Sequence, residues 1–557
     1  MYRVIPIILI MSMIVACESP KKKTTETAQP STNAEKPFVW EAANVYFLLT
    51  DRFNNGNPNN DINFNRTKES GKLRNFMGGD IKGITQKINE GYFSKLGVNA
   101  IWLTPVVEQI HGSVDEGTGN TYAFHGYWAK DWTNLDPNFG TKEDLAELVA
   151  TAHAKGIRIL LDVVINHTGP VTDQDPVWGE DWVRTGPQCT YDNYTNTTSC
   201  TLVANLPDIL TESNENVALP TFLLDKWKAE GRLEQELKEL DDFFSRTGHP
   251  RAPRFYIIKW LTDYIREFGV DGFRVDTVKH TEETVWAELY DEAVIAFAEY
   301  KKANPDKVLD DNEFYMVGEV YNYGISGGRF YDFGDKKVDY FDHGFKSLIN
   351  FEMKYDANFT YDTLFRKYDT LLHTKLKGRS VLNYLSSHDD GSPFDKMRQK
   401  PYESATKLLL TPGASQIYYG DETARSLNIE GAQGDATLRS FMNWEELAED
   451  PAKQKILQHW QKLGSFRNNH PAVGAGRHKT LGKKPFYTFS RVYQKNGFID
   501  KVVVALDAPK GQKQITVNGV FDDGTKLVDA YSGKETSVKN GIVSLSSEFD
   551  IVLLEQK

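Results

Sequence analysis

Eight short runs of strand character, separated by stretches of helical character, constrain this chain more than any other feature. They cover residues 45–50, 100–104, 157–164, 272–275, 314–318, 338–341, 381–386 and 415–419. Strands alternating with helices build a parallel sheet with crossover connections, so eight units predict an α/β fold, a closed (β/α)8 TIM barrel. The sixth run, within Lys336-Lys337-Val338-Asp339-Tyr340, is short and polar. Helical periodicity spans 142–155 and 255–268, and each stretch ends at a glycine placed as a C-cap, Gly156 and Gly269.

The spacing is uneven in one place. About a hundred residues, 168–270, separate the third run from the fourth, too many for a structureless connection, which predicts an inserted subdomain. They hold Cys189, Cys200, Asn- and Thr-rich loops and a charged helical stretch over 225–244. After about His470 the pattern changes to alternating strands with hairpin signals at Asp522-Asp523-Gly524-Thr525 and Lys539-Asn540-Gly541, predicting a C-terminal β-sandwich. The expected division is a barrel over 37–167 and 256–470, an inserted subdomain over 168–255 and the sandwich over 471–557.

Arg3 precedes an apolar run over 4–16 that is too short to span a bilayer and has the build of a signal h-region. Its end, Ile14-Val15-Ala16-Cys17, resembles a bacterial lipoprotein signal, which implies cleavage before Cys17 and lipid on its sulfur. Residues 18–36, rich in Lys, Thr, Pro and Ser, then form a disordered tether. The expectation is an exported protein, periplasmic or at the cell surface, that touches the membrane only through this anchor; a monomer is favoured, the sequence leaving the oligomeric state open. In that setting Cys189 and Cys200 can pair and close a short loop, worth about 3 kcal/mol in the entropic model; two free thiols are the alternative. A net charge of -12 excludes nucleic acid, whose phosphates need a basic surface. The 11 Trp, 26 Tyr and 31 Phe supply aromatic faces that suit sugar rings and cores alike.

Reactive groups of such a barrel sit at the C-terminal ends of its strands. The polar residues there are Asp162, Asn166 and His167 after the third run, Arg274 and Asp276 after the fourth, Glu319 after the fifth, and His388 and Asp389 after the seventh. A period of two puts Arg274 and Asp276 on one face, where a guanidinium keeps a nucleophilic carboxylate ionised. Alone, the pair is equally a structural ion pair. Three carboxylates at one mouth permit the retaining glycosidase mechanism, in which nucleophile and acid/base stand about 5 to 5.5 Å apart.

DVVINH over 162–167, LPDIL over 206–210, GFRVDTVKH over 272–280, VGEV over 317–320 and NYLSSHD over 383–389, with FHGYW over 124–128, resemble the ordered motifs of the α-amylase family of glycoside hydrolases, family 13. PGASQIYYGDE and LRSFMNW continue the likeness. The resemblance implies cleavage of internal α-1,4 bonds in starch, glycogen or maltodextrins. It makes Asp276 the nucleophile, Glu319 the general acid/base and Asp389 the carboxylate that stabilises the transition state. Tyr127, His167, Arg274, Lys279 and His388 are implied to bind the sugar, and Thr277 with Lys279-His280 matches the α-1,4 pattern.

Calcium is implied as well, held by Asn166, Asp208 and the carbonyl of His280. NNGNPNND and GGD are similar to an extra calcium loop of cyclodextrin glucanotransferases, implying Asn55, Asn57, Asn60, Asp61, Gly78 and Asp80. Those transglycosylases are the nearest rival reading, which Tyr321 beside the acid/base keeps open. They carry a large aromatic four residues before the calcium-binding Asp, where this chain has Ala204, and further C-terminal domains beyond one sandwich. A non-catalytic glucan-binding lipoprotein would have lost carboxylates that this chain retains.

Overall fold

The computed structural model describes residues 36–557; Cys17 and its leader lie outside the described residues. Eight parallel strands close a barrel: β1 Asn44–Leu48, β2 Ala100–Leu103, β3 Arg158–Val163, β4 Gly272–Val275, β5 Tyr315–Gly318, β6 Ser347–Asn350, β7 Ser380–Asn383 and β8 Ala414–Tyr418. Each pairs with its neighbours in sequence, and β8 closes on β1. Every residue of these strands is buried, as expected where helices cover one face and barrel side chains the other.

The sixth strand corrects the sequence reading. Residues 338–341 are not in the barrel: Val338 pairs antiparallel with Tyr331 in a two-residue hairpin, and Tyr340–His343 is a 3-10 turn whose Asp339 cap accepts from Phe341 N. The barrel strand is instead Ser-Leu-Ile-Asn at β6. Its two polar ends hid it from a search for apolar runs. Asn350 is tolerated because the barrel satisfies it: its Nδ2 donates to Asn383 Oδ1 at 2.8 Å and to Tyr368 Oη at 3.0 Å.

Helices form where capping and periodicity agree. Lys142–His153 opens with a capping box, Thr141 Oγ1 bonding Asp144 N while Asp144 bonds back to Thr141 N. Pro253–Phe268 starts on proline and stops at Gly269, at φ 71°, where a Cβ would strike the ring of Tyr300 at 2.1 Å.

The segment inserted after β3 is structured. It contains the hairpin of Val183–Arg184 with Asp208–Ile209, helices Thr221–Ala229 and Leu233–Thr247, and a formed Cys189–Cys200 disulfide. Buried Trp178, Trp182 and Trp227 pack with Trp260 of a barrel helix and anchor the segment.

Beyond the barrel lies antiparallel sheet: β9 Arg477–Gly482, β10 Tyr487–Lys495, β11 Phe498–Leu506, β12 Gly511–Thr516, β13 Lys526–Asp529, β14 Lys534–Ser537, β15 Ile542–Ser547 and β16 Val552–Gln556. Its order is β9-β10-β11-β16-β13-β14, with β12 and β15 as a second pair. Val503, Ile515, Val543, Leu545 and Leu554 fill the core between the two layers.

His470 joins barrel to sheet. It caps the helix Pro451–Asn469, and its ring nitrogens lie 2.8 Å from Asp500 Oδ1 and 2.6 Å from Glu555 Oε2. Burial opposes the imidazolium, and the two carboxylates override it, lifting His470 to about 9. A raised histidine stabilises fully below its unfolded value near 6.5 and ceases to as pH rises through its folded value. His470→Ala should therefore flatten the fall of the calorimetric midpoint between about pH 6.5 and 9; an equal fall in both proteins would overturn this link.

Candidate active site

Arg274 lies at the centre of the barrel mouth, 1% accessible. On β4 it stands in register with Asp162 of β3, and its Nη1 reaches Asp162 Oδ1 at 2.9 Å and Asp276 Oδ1 at 2.7 Å. Its Nη2 lies 3.1 Å from Glu319 Oε2, just past β5. One cation thus joins three carboxylates from three adjacent strands. The chain turns sharply after Asp276: Thr277 takes the left-handed region at φ 49° and its N donates to Glu319 Oε2 at 3.0 Å.

These carboxyls do not share one environment. Burial pushes Glu319 up to about 8; Arg274 opposes this, and the negative charges of Asp276 and Asp389 add to it. Burial is thus the leading cause, ahead of the like-charge neighbour. Asp162 is raised by the same means, although Arg274, Trp102 Nε1 at 2.9 Å and Tyr127 Oη at 2.8 Å all bond to it.

Asp389 behaves oppositely. Its side chain is 43% accessible in the cleft, and His388 and Arg439 outweigh burial to hold it down at about 2. Arg439 Nη2 lies 2.5 Å from Asp389 Oδ1 and 2.7 Å from Asp435, and its Nε donates to the His388 carbonyl at 3.1 Å. Arg74 in turn bonds Asp435 at 3.0 Å. Arg439 and Trp102 were not among the expected site residues, and Asp162 was marked only by its place at a strand end. Arg439 lies inside LRSFMNW, so that motif was its one sequence signal, with no periodicity to mark it.

The remaining expected residues line the same mouth. The Tyr127 ring stacks on His388 at 5.3 Å, and His167 Nε2 meets the Tyr127 carbonyl at 3.1 Å. Burial lowers both histidines, His388 to about 4, so they are neutral hydrogen-bonding groups. Neither ring nitrogen of buried His388 has a hydrogen-bond partner, although Nε2 is 3.1 Å from Asp389 Oδ2. Such unsatisfied groups beside a cavity are available to hydroxyls. That cavity, of about 210 Å³, is lined by Trp102, Arg274, Glu319, Tyr321, Tyr384 and Asp389 among others.

Both expected calcium sets offer hard oxygens. In the first, Asn166 and Asp208 are neighbours, since Ile209 N donates to the Asn166 carbonyl at 2.8 Å, and Thr281 Oγ1 bonds Asn166 Oδ1 at 3.2 Å. His280 Nδ1 meets the Thr197 carbonyl at 3.1 Å. Buried Asp208 Oδ2 has no hydrogen-bond donor, with Arg184 Nε as its cationic neighbour at 2.8 Å.

In the second set, buried Asn55 Oδ1 and Asn60 Oδ1 have no donor, and Asn55 Nδ2 bonds Asp61 Oδ1 at 2.9 Å. Gly78, at φ 85°, closes this cradle: a Cβ there would fall 2.8 Å from Asp61 Oδ1. Asp80 is engaged otherwise, as the N-cap of Ile81–Asn89, its oxygens holding the N–H groups of Gly56, Asn57 and Gly83. Asn57 Oδ1 accepts from Asn59 N at 3.4 Å.

A (β/α)8 barrel whose mouth gathers carboxylates of opposite ionisation tendency is the framework of a glycoside hydrolase. Residues 47–470 match the family described as alpha amylase, catalytic domain, and the chain belongs to the α-amylase family of glycoside hydrolases. It is 38% identical over 536 residues to the periplasmic alpha-amylase of Escherichia coli (strain K12), covering 86% of this chain and 74% of that protein. Against the cyclomaltodextrin glucanotransferase of Geobacillus stearothermophilus it is 28% identical, covering 86% of this chain and 61% of that one. An Anoxybacillus alpha-amylase crystal structure superposes with TM-score 0.64 at 24% identity, covering 94% and 99% of the two chains, a likeness of fold.

Arg439→Gln should remove a cation that holds Asp389 low. A depressed carboxyl stays ionised to low pH, so the acid limb of kcat/KM should move upward in the variant, and an unmoved limb would refute this role for Arg439.

Proposed function

We propose that this α-amylase family hydrolase cleaves internal α-1,4-glucosidic bonds with retention of configuration, using Asp276 as nucleophile and Glu319 as acid/base. The observation that carries the reading is Arg274, whose two terminal nitrogens contact Asp276 and Glu319 respectively. That arrangement supports the close carboxylate pair that retention needs. Glu319, raised by burial, protonates the glycosidic oxygen while Asp276 attacks the anomeric carbon. The Glu319 carboxylate then takes a proton from the water that releases the glycosyl group, which restores the α configuration. Asp389, kept ionised, accepts hydroxyl hydrogen bonds and offsets the positive charge that develops on the sugar. His388 bonds a sugar hydroxyl, His167 borders the sugar with its Nε2–H on the Tyr127 carbonyl, Tyr127 offers its ring to the sugar, and Lys279 serves the leaving portion.

Time-resolved product analysis on maltoheptaose and starch, with anomer detection, tests the whole reading. Scattered short α-anomeric products are expected; β-anomers would sink retention, and cyclic products would favour transfer over hydrolysis. Glu319→Gln should cost about 10²- to 10⁴-fold in kcat/KM and abolish the basic limb that Glu319 sets at about 8. Asp276→Asn with undiminished starch hydrolysis would remove the nucleophile assignment.

We further propose calcium in both oxygen sets, held by Asn166, Asp208 and the His280 carbonyl, and by Asn55, Asn60 and Asp61 with the Gly78 backbone. The donorless buried oxygens of Asn55 and Asn60, and the buried carboxylate of Asp208, support this reading. Bound calcium would supply charge that fixes the inserted segment and the first loop against the barrel. Chelation should lower the thermal midpoint, calcium should restore it, and Asp61→Ala should reduce calcium measured by atomic emission. Unchanged metal content in that variant would remove the second site. Export with a lipid on Cys17 completes the proposal, tested by palmitate labelling with Cys17→Ser as control.

A further inference from the structure

Two excursions from the barrel meet beside Lys279. The first is the disulfide-closed loop, 189–200, inserted after β3. The second is the hairpin of Tyr331–Asp332 with Lys337–Val338, which leaves the chain between β5 and β6. Tyr194 joins them: its N donates to Asp335 Oδ1 at 2.9 Å, its ring meets Phe333 edge-on at 5.2 Å, and Lys336 Nζ lies 3.6 Å over that ring.

Each excursion presents a tyrosine to Lys279. Lys279 Nζ donates to Tyr331 Oη at 3.2 Å and lies 5.9 Å from the Tyr191 ring, which is 50% exposed. Tyr321, two residues past Glu319 and 47% exposed, adds a third ring at 5.3 Å from Lys279 Nζ, and its carbonyl accepts from Tyr331 Oη at 3.3 Å. Tyr191 holds φ at 60°, a strained setting for a bulky residue that persists only when its surroundings impose it. They do so here: Tyr191 N bonds the Asn196 carbonyl at 3.2 Å inside the disulfide-closed loop, and Tyr191 Oη bonds the Leu202 carbonyl at 3.2 Å just beyond it.

The side of the cleft is set by chemistry. Glu319 protonates the leaving oxygen, so the leaving portion of the glucan lies on its flank, where Tyr321 and Lys279 follow Glu319 and Asp276 along their loops. We propose that Tyr191 and Tyr331 form, with Lys279, a subsite for the leaving glucose units of an α-glucan, and that the Cys189–Cys200 disulfide keeps Tyr191 in it. Aromatic faces cover the C–H face of a pyranose, and the ammonium and phenol groups meet its hydroxyls. Reduction of Cys189–Cys200 by dithiothreitol yields two thiols and the oxidised cyclic reagent, and it releases the loop.

The inference rests on the α-1,4-glucan reading, and two substrates separate the two. Maltoheptaose has leaving-side sugars; α-maltotriosyl fluoride has only fluoride there. Tyr191→Ala and Tyr331→Ala should each lower kcat/KM for maltoheptaose relative to the fluoride by about tenfold. Dithiothreitol should reproduce that change in the native protein and add nothing in Tyr191→Ala. An unchanged ratio in both variants, or equal losses on both substrates, overturns the subsite. A reductant effect that persists undiminished in Tyr191→Ala overturns the role of the disulfide. Failure of the native protein to turn over either substrate would overturn the α-1,4 reading instead.

Discussion

The guanidinium of Arg274 holds the mouth of this barrel together. A buried cation is costly to desolvate, and Asp162, Asp276 and Glu319 offset that cost from three successive strands. The cluster requires exact register, because a slip of one residue would turn Arg274 to the opposite face. Gly272 lets the strands approach: a Cβ there would come within 2.3 Å of the Tyr315 carbonyl, on the strand that delivers Glu319. Packing at the base of β4 and chemistry at its tip are therefore one constraint.

Charge in the cleft is divided rather than pooled. Burial dominates around Glu319 and Asp162 and drives both toward the neutral acid, while Arg439 and His388 prevail at Asp389. Similar carboxyls thus acquire different duties from their surroundings. The chain Arg74–Asp435–Arg439–Asp389 links the site to loops remote in sequence, so the charge on Asp389 depends on contacts that no single motif contains.

Much of this was legible in the residues. Seven of the eight barrel strands stand where apolar runs occur, because strands buried on both faces must be apolar. Arg274 and Asp276 share a face as a period of two demands. The sixth strand was illegible because Ser347 and Asn350 are polar in sequence, and Asn350 finds its partners Asn383 and Tyr368 only in the folded barrel. Arg439 was illegible for a related reason: its meaning lies in a contact across 50 residues of chain. Asp80 shows the converse, a residue of a calcium-like pattern whose oxygens are taken up by helix capping.

The misread sixth run also explains where individuality resides. A barrel needs eight strands and their helices, and it places little restriction on the connections between them at the mouth. Between β5 and β6 this chain spends its connection on the Tyr331–Asp332 hairpin, and after β3 on a disulfide-bonded loop; Tyr194 locks the two together through Asp335 and Phe333. Neither excursion is required by the carboxylates, which are complete without them. What the excursions do is set aromatic rings around Lys279, next to the flank of Glu319. The chemistry of the mouth is thus fixed by one guanidinium and its register, whereas the aromatic surroundings of Lys279 come from loops that the barrel leaves free.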